Sequence, residues 1–165
     1  MTQRETVSEI TLRISRTINA PRDLVFRAWT EPESLSRWWG AGPGFTTPIA
    51  EVDLRVGGKY RLGMQAPDQD HPFIVGGVYK EIVPPEKLVY TWAWEYPGQE
   101  SASRPQSGPE SVVGPGETLV TVLFQDAGDK TEVVLTHEFF PDQNMRDEHH
   151  KGWDGCLENL AKLLE

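Results

Sequence analysis

Residues 144–165, NMRDEHHKGWDGCLENLAKLLE, decide the fold of this chain. Their larger apolar side chains recur at spacings of four, three and four residues, the period of an α-helix with one apolar face. These side chains are Trp153, Leu157, Leu160 and Leu164, and His149 precedes them by one turn on the same face. Such a helix is about 30 Å long. Because only one of its faces is apolar, it needs a sheet to pack against.

The start of this helix carries its own signal. Asn144 is a preferred N-cap residue, and Asp147 places an acid in the first turn, where the helix dipole favours negative charge. We therefore expect the helix to begin at Asn144. Most of the chain before it alternates between apolar and polar residues, as strands do.

Two short helices are expected after the first strand. Residues 8–19, SEITLRISRTIN, alternate as a half-buried strand does. Pro21 then suits the first position of a short apolar helix, PRDLVFRAW. Thr30 and Glu33 have the spacing of a capping box, with Thr30 as N-cap, and predict a second short helix that ends at Gly40.

The rest of the chain predicts six further strands joined as hairpins, with Gly57-Gly58 as a two-residue turn. Residues 97–116 are rich in Gly, Pro and Ser and predict a long mobile loop. Hairpin connections make the sheet antiparallel. The predicted fold class is therefore α+β, a curved antiparallel sheet of about seven strands wrapped around the C-terminal helix. The six strands are expected at residues 50–56, 59–65, 73–83, 87–96, 118–126 and 131–140.

Length and composition indicate one globular domain. The chain has 165 residues, of which 38% are hydrophobic, and we assign residues 8–165 to the domain and 1–7 to a flexible N-terminus. No apolar run approaches the ~18 residues of a membrane span, and the start lacks a signal-peptide core. The single cysteine, Cys156, fits a reducing compartment, so we expect a cytoplasmic protein. The net charge of −9 disfavours nucleic acid and anionic membranes as partners.

Four segments together resemble one family. It is the branch of the START-related (SRPBCC, Bet v allergen-like) helix-grip superfamily that is similar to activators of the heat-shock-protein-ninety ATPase. The resemblance covers residues 10–165 and implies the helix-grip fold. It implies no single function, because the superfamily includes lipid and hormone binders, aromatase/cyclases and co-chaperone domains. The segments are TINAPRDLVFRAWTEPESLSRWWG, VDLRVGGKYRL, GGVYKEIVPPEKLVYTW and GWDGCLENLAKLL.

A bent sheet with a helix across its concave side leaves a pocket where the two diverge. His137 is in register with Leu135 and Phe139 on one strand face, and His149 lies on the apolar face of the helix. Aromatic residues on these faces serve either as core or as the lining of a cavity. The predicted ligand-binding residues are Trp92, Trp94, His137, Phe139, His149 and Trp153.

Candidate acid–base groups are His137 and Glu81. Periodicity does not decide which face of its strand Glu81 occupies. Cys156 is expected to be a buried, inert thiol. Adjacent helical residues such as His149 and His150 point about 100° apart, and no ligand-spaced motif accompanies them, so we expect no metal and no cofactor.

These observations favour a protein that binds a small hydrophobic or aromatic molecule between the sheet and the C-terminal helix. Two alternatives stay open: an enzyme of the cyclase or hydrolase kind that uses His137 or Glu81, and a co-chaperone-like regulator of an ATPase. The edges of the predicted sheet are candidate sites for pairing into a homodimer.

Overall fold

The computed structural model describes residues 10–40, 44–95 and 117–165. The predicted flexible N-terminus and the predicted loop at 97–116 lie outside these ranges. The described residues contain three helices, namely α1 (Arg22–Thr30), α2 (Pro32–Trp38) and α3 (Gln143–Leu164). They contain seven strands, namely β1 (Leu12–Ile18), β2 (Thr46–Val52), β3 (Lys59–Gln65), β4 (Phe73–Val83), β5 (Lys87–Glu95), β6 (Thr118–Ala127) and β7 (Lys130–Glu138).

The seven strands form one sheet in the order β1-β7-β6-β5-β4-β3-β2, and every neighbouring pair is antiparallel. The sheet curls into a half-barrel, and α1 and α2 connect one edge strand to the other. The predicted α+β helix-grip class is thereby confirmed. None of the three helices in the described part of the chain combines the length and the apolar character that a membrane-spanning helix needs.

The apolar face of α3 packs into the core, as its spacing predicts. Trp153, Leu157 and Leu160 are buried, and Leu164 at the end of the helix is half-buried. Burying a side chain of this size stabilises a fold by about 1.5–3 kcal/mol. The amide of Asn159 also donates to the backbone oxygen of Gly40 at 3.1 Å, which ties α3 to the chain that follows α2.

The start of α3 differs from the prediction. The N-cap is Asp142, whose Oδ1 accepts a 2.8 Å hydrogen bond from the backbone N–H of Met145. Asp142 has an extended backbone, with φ −156° and ψ 168°, which lets its short carboxylate reach the N3 amide. Asn144 is already inside the helix and cannot act as its cap.

The capping box predicted for α2 is not formed. Glu31 is the N-cap and makes no side-chain cap hydrogen bond, while the Thr30 hydroxyl donates back to Phe26 O at 3.0 Å. Pro32 at the first helical position accounts for the shift, because the residue before a proline avoids helical backbone angles. Glu31 therefore separates α1 from α2, and Thr30 ends α1.

The predicted two-residue turn at Gly57-Gly58 is also wrong. Strand β2 runs from Thr46 to Val52, four residues before the strand predicted at 50–56, so residues 53–58 form a longer connection. Its backbone hydrogen-bonds to β4 instead of closing a tight hairpin, since Gly57 N–H donates to Tyr79 O at 2.9 Å. Leu54 and Val56 fall inside the predicted strand at 50–56, but they are 41% and 64% exposed in this connection.

Candidate functional site

A cavity of about 210 Å³ lies between α3 and the sheet. Its residues come from β3, β5, α3 and the end of α2. Glu148 is exposed and Trp94 is half-buried, so the cavity meets the surface beside them, whereas Trp153 is buried. The cavity is lined by Trp39, Met64, Trp92, Trp94, Glu148, His149, Gly152, Trp153 and Cys156.

The four indole rings of this lining pack against one another. The ring centroid of Trp92 lies 5.1 Å from that of Trp153 and 5.5 Å from that of Trp94, and Trp39 lies 5.4 Å from Trp153. Tilted and edge-to-face aromatic pairs at such distances stabilise one another beyond the area that they bury. These four rings, which form the aromatic wall of the cavity, therefore hold one another in place.

Two donors in this wall lack a conventional partner. Among the described residues, the buried Nε1–H groups of Trp39 and Trp92 donate no hydrogen bond. An unpaired buried donor costs about 1–3 kcal/mol. Both donors belong to residues that line the cavity.

His149 connects the helix to the sheet at the mouth of the cavity. Its Nε2 accepts a 2.9 Å hydrogen bond from Trp94 Nε1, and its Nδ1 lies 2.9 Å from the backbone oxygen of Met145. Because an indole N–H only donates and a carbonyl only accepts, these partners assign the proton to Nδ1 and make the ring neutral. Burial lowers the pKa of His149, which agrees with a neutral ring.

His137 lies behind the cavity wall and is fully buried. Trp153 Nε1 donates to its Nδ1 at 3.1 Å, so Nε2 carries the proton and donates to Thr118 Oγ1 at 2.6 Å. The Thr118 hydroxyl is in turn 3.4 Å from the backbone oxygen of Trp92. Burial holds the pKa of His137 well below its usual value. Both ring nitrogens are occupied within the protein, so His137 stabilises the wall.

The family model described as "Activator of Hsp90 ATPase homolog 1-like protein" matches residues 19–165. The chain belongs to this family. No curated protein sequence matches it. The resemblance that the sequence motifs indicated is confirmed.

Solved structures share the fold of this family member. A protein from Chromobacterium violaceum is 27% identical with a TM-score of 0.74, over 94% of this chain and 97% of that chain. A protein from Rhizobium leguminosarum is 25% identical with a TM-score of 0.70, over 93% of each chain. The AHSA1 protein from Silicibacter pomeroyi is 23% identical with a TM-score of 0.73, over 93% of this chain and 96% of that chain, and shows likeness of fold alone.

In this family member, four of the six predicted ligand-binding residues line the cavity. They are Trp92, Trp94, His149 and Trp153. His137 does not line the cavity but lies behind it, in contact with Trp92 and Trp153. Phe139 was expected beside His137 on the cavity face of a strand, but it does not line the cavity. Strand β7 ends at Glu138, and Phe139 has a left-handed backbone with φ +74°. This reversal turns the next residue inward, and Phe140 packs on His137 with ring centroids 4.4 Å apart.

Glu81 does not face the cavity. It is exposed on the surface of β4, where its carboxylate lies 3.3 Å from Lys87 Nζ. A bulge between Tyr79 and Glu81 interrupts the alternation of the strand, so Tyr79 is buried whereas Glu81, two residues later, is exposed. Neither predicted acid–base candidate is therefore placed to act on a molecule in the cavity.

Sequence reasoning missed five cavity residues. Glu148, Gly152 and Cys156 follow one another at intervals of four and so share a helix face with His149 and Trp153, a signal that the helical period contains. Burial raises the pKa of Cys156 to about 12, in agreement with an inert thiol. Trp39 and Met64 come from separate elements, and nothing local connects them to the helix. Within the described ranges, no group of three His, Cys, Asp or Glu side chains is arranged to hold a metal ion.

Proposed function

We propose that this protein binds a small, mainly apolar ligand in the cavity between the sheet and α3. The observation that carries the proposal is the aromatic lining, in which four indole rings surround one preformed space. Pockets for small molecules are concave, apolar and largely preformed, with few polar groups. The membership of a family with the helix-grip fold supports the same reading.

The size of the cavity limits the ligand. Its volume of about 210 Å³ exceeds the roughly 150 Å³ that holds one benzene molecule in a protein interior. It is smaller than the ~300 Å³ at which pockets for drug-sized molecules begin. A ligand of one or two fused rings, or an aliphatic molecule of that size, therefore fits without rearrangement of the wall.

Gly152 supports the proposal independently. It lies within α3 and lines the cavity, and a Cβ atom added to it would meet nothing within 4 Å. A glycine inside a helix costs about 0.5–1 kcal/mol relative to alanine. Since packing within the protein does not require this glycine, we assign it to the ligand, which would lie directly on the helix backbone.

Isothermal titration calorimetry with naphthalene and naphthol as probes tests the proposal. We expect binding to the natural chain and a loss of at least about tenfold in Gly152→Leu, whose side chain would enter the cavity. Asp154→Leu adds a similar side chain at an exposed position of the same helix and is expected to bind normally. Failure of every probe to bind, or equal binding by Gly152→Leu, would contradict the proposal.

The family description supports a second candidate, a regulator of the heat-shock-protein-ninety ATPase. The exposed apolar side chains of Leu54 and Val56 are available for a protein partner. A steady-state ATPase assay with and without this protein tests the candidate. A rise in turnover that is lost in Leu54→Ser/Val56→Ser would favour regulation, and no change would leave ligand binding as the proposed function.

The geometry gives less support to an enzyme that uses His137 or Glu81, because His137 is enclosed and Glu81 is on the surface. We place the protein in the cytoplasm on its single buried cysteine, which suits a reducing compartment. Pairing into a homodimer stays a prediction, which native mass spectrometry at several protein concentrations tests directly.

A further inference from the structure

The unpaired indole donors of this protein are confined to the cavity. The chain has six tryptophans, and four of their N–H groups donate to an acceptor within the protein. Among the described residues, the two that find no acceptor are Trp39 and Trp92, both in the aromatic wall. The four satisfied pairs are Trp29 with the Tyr90 hydroxyl, Trp38 with the backbone oxygen of Ala28, Trp94 with His149 and Trp153 with His137.

The lining has no acceptor to offer these two groups. Among the described residues of the lining, Glu148 alone carries a side-chain oxygen, and Glu148 is exposed at the surface. Both ring nitrogens of His149 are already occupied within the protein. An acceptor for Trp39 and Trp92 therefore has to come from a molecule inside the cavity.

The two donors belong to one part of the wall. The ring centroids of Trp39 and Trp92 lie 5.7 Å apart, and both rings pack on Trp153, at 5.4 and 5.1 Å. One ligand molecule therefore meets both rings that carry a free N–H. Neither nitrogen is accessible to solvent, so a ring that donates to the ligand has to turn slightly towards it as the ligand binds.

The wall selects among the possible acceptors. A water molecule brings O–H donors of its own, which find no free side-chain acceptor in the buried lining. An anion accepts hydrogen bonds, but its charge is costly to bury among apolar side chains. A carbonyl oxygen accepts without carrying a proton or a full charge. It is therefore the acceptor that matches these donors best.

We propose that the ligand is a neutral, apolar carbonyl compound whose oxygen accepts a hydrogen bond from Trp39, from Trp92 or from both. This inference rests on the proposed function, since it specifies the chemical class of the molecule that occupies the same cavity.

Three probes of nearly equal shape test the inference by calorimetry, namely indane, 1-indanone and 1-indanol. In a cavity without a free donor, 1-indanone would bind at least about tenfold more weakly than indane, because its oxygen would lose its hydrogen bonds to water. We expect 1-indanone to bind at least as tightly as indane. We expect 1-indanol to bind about three- to tenfold more weakly than 1-indanone, because its O–H group finds no acceptor.

Nuclear magnetic resonance of the natural chain observes the donors directly. The six indole N–H groups give six resonances, and the spectra of Trp39→Phe and Trp92→Phe assign two of them by the resonance that each variant lacks. We expect 1-indanone to shift the proton resonance of Trp39 or Trp92 downfield. Indane has the same aromatic ring and no acceptor, so the difference between the two probes isolates the hydrogen bond.

Variants test the donors through the ratio of the affinities for 1-indanone and indane, in which changes of cavity shape largely cancel. Trp39→Phe and Trp92→Phe each remove one free donor, and at least one of them is expected to lower this ratio about threefold or more. Trp29→Phe is the matched control. It removes an indole N–H that is satisfied by Tyr90 and lies outside the lining, and we expect it to keep the ratio of the natural chain.

The outcomes distinguish the two proposals. Weaker binding of 1-indanone than of indane by the natural chain would overturn the carbonyl preference and leave the proposed function intact. Unmoved resonances of Trp39 and Trp92 in the presence of bound 1-indanone would do the same, and this result does not depend on the folding of any variant in complex with a ligand. Failure of indane, 1-indanone and naphthalene alike to bind would overturn both proposals.

Discussion

The indole of Trp94 on β5 donates a 2.9 Å hydrogen bond to Nε2 of His149 on α3. This contact joins the sheet to the helix at the mouth of the cavity. It also fixes the protonation state of the imidazole, because a protonated His149 would point an N–H at the donor of Trp94. The entrance therefore depends on a neutral histidine.

Stability should fall as the pH decreases below about 6.5, the ordinary pKa of histidine. Burial lowers the pKa of His137 and of His149 in the folded protein, so below this pH the unfolded chain binds more protons than the folded one. Each group contributes up to about 1.4 kcal/mol of lost unfolding free energy per pH unit, until the pH reaches its lowered pKa. Urea denaturation between about pH 5 and 8 measures the slope.

The slope should become smaller in His149→Asn, which removes one of the two groups. His71→Asn provides the matched control, because His71 is exposed and lies outside the core. A stability that stays flat or rises as the pH falls towards about 5 would contradict the neutral assignment of the two buried rings.

Thr118→Val should lower the free energy of unfolding by about 1–3 kcal/mol. The hydroxyl of Thr118 accepts a hydrogen bond from the single N–H of the buried, neutral His137 ring. Valine keeps the shape of the threonine side chain but has no acceptor. Thr121→Val on the same strand, where the side chain is half-buried, is the control and should change stability by less than about 0.5 kcal/mol. Equal effects in chemical denaturation would argue against the hydrogen-bond chain through His137.

Phe140→Ala should destabilise the fold by about 3–5 kcal/mol, the usual cost of removing a buried phenylalanine. Phe140 is 2% exposed and packs on both His137 and His149. Phe139→Ala should cost clearly less, since that side chain is only half-buried. Thermal unfolding of the two variants compares them directly. A larger loss in Phe139→Ala would mean that strand β7 continues its alternation past Glu138.

Cys156 should not react with a thiol reagent in the native protein at about pH 8, because the thiolate is the reactive form. Burial raises the pKa of this thiol to about 12, so the thiolate is scarce, and the side chain is 2% exposed. Full reaction in denaturant provides the control for reagent and protein. Rapid labelling of the folded chain would show that the cavity opens widely enough to admit the reagent.

Most of the fold could be predicted from the sequence. The spacing of the apolar residues from Trp153 to Leu164 predicted the helix and its buried face, since the period of 3.6 residues is a local property. Strands β3 to β7 were placed within one or two residues by alternation. Boundaries failed at 53–58 and at Thr30, where long-range hydrogen bonds and a proline outweighed the local turn and cap signals.

Part of the candidate site could likewise be predicted from the sequence, and part could not. The sequence by itself determined that Trp92, Trp94, His149 and Trp153 lie on facing surfaces, because each belongs to a regular element. Only the tertiary structure decided the rest. The bulge before Glu81 and the left-handed Phe139 each shift one residue, and one residue is enough to send a side chain to the opposite face. The open space over Gly152 likewise arises where the helix and the sheet diverge, and their separation depends on packing between distant parts of the chain.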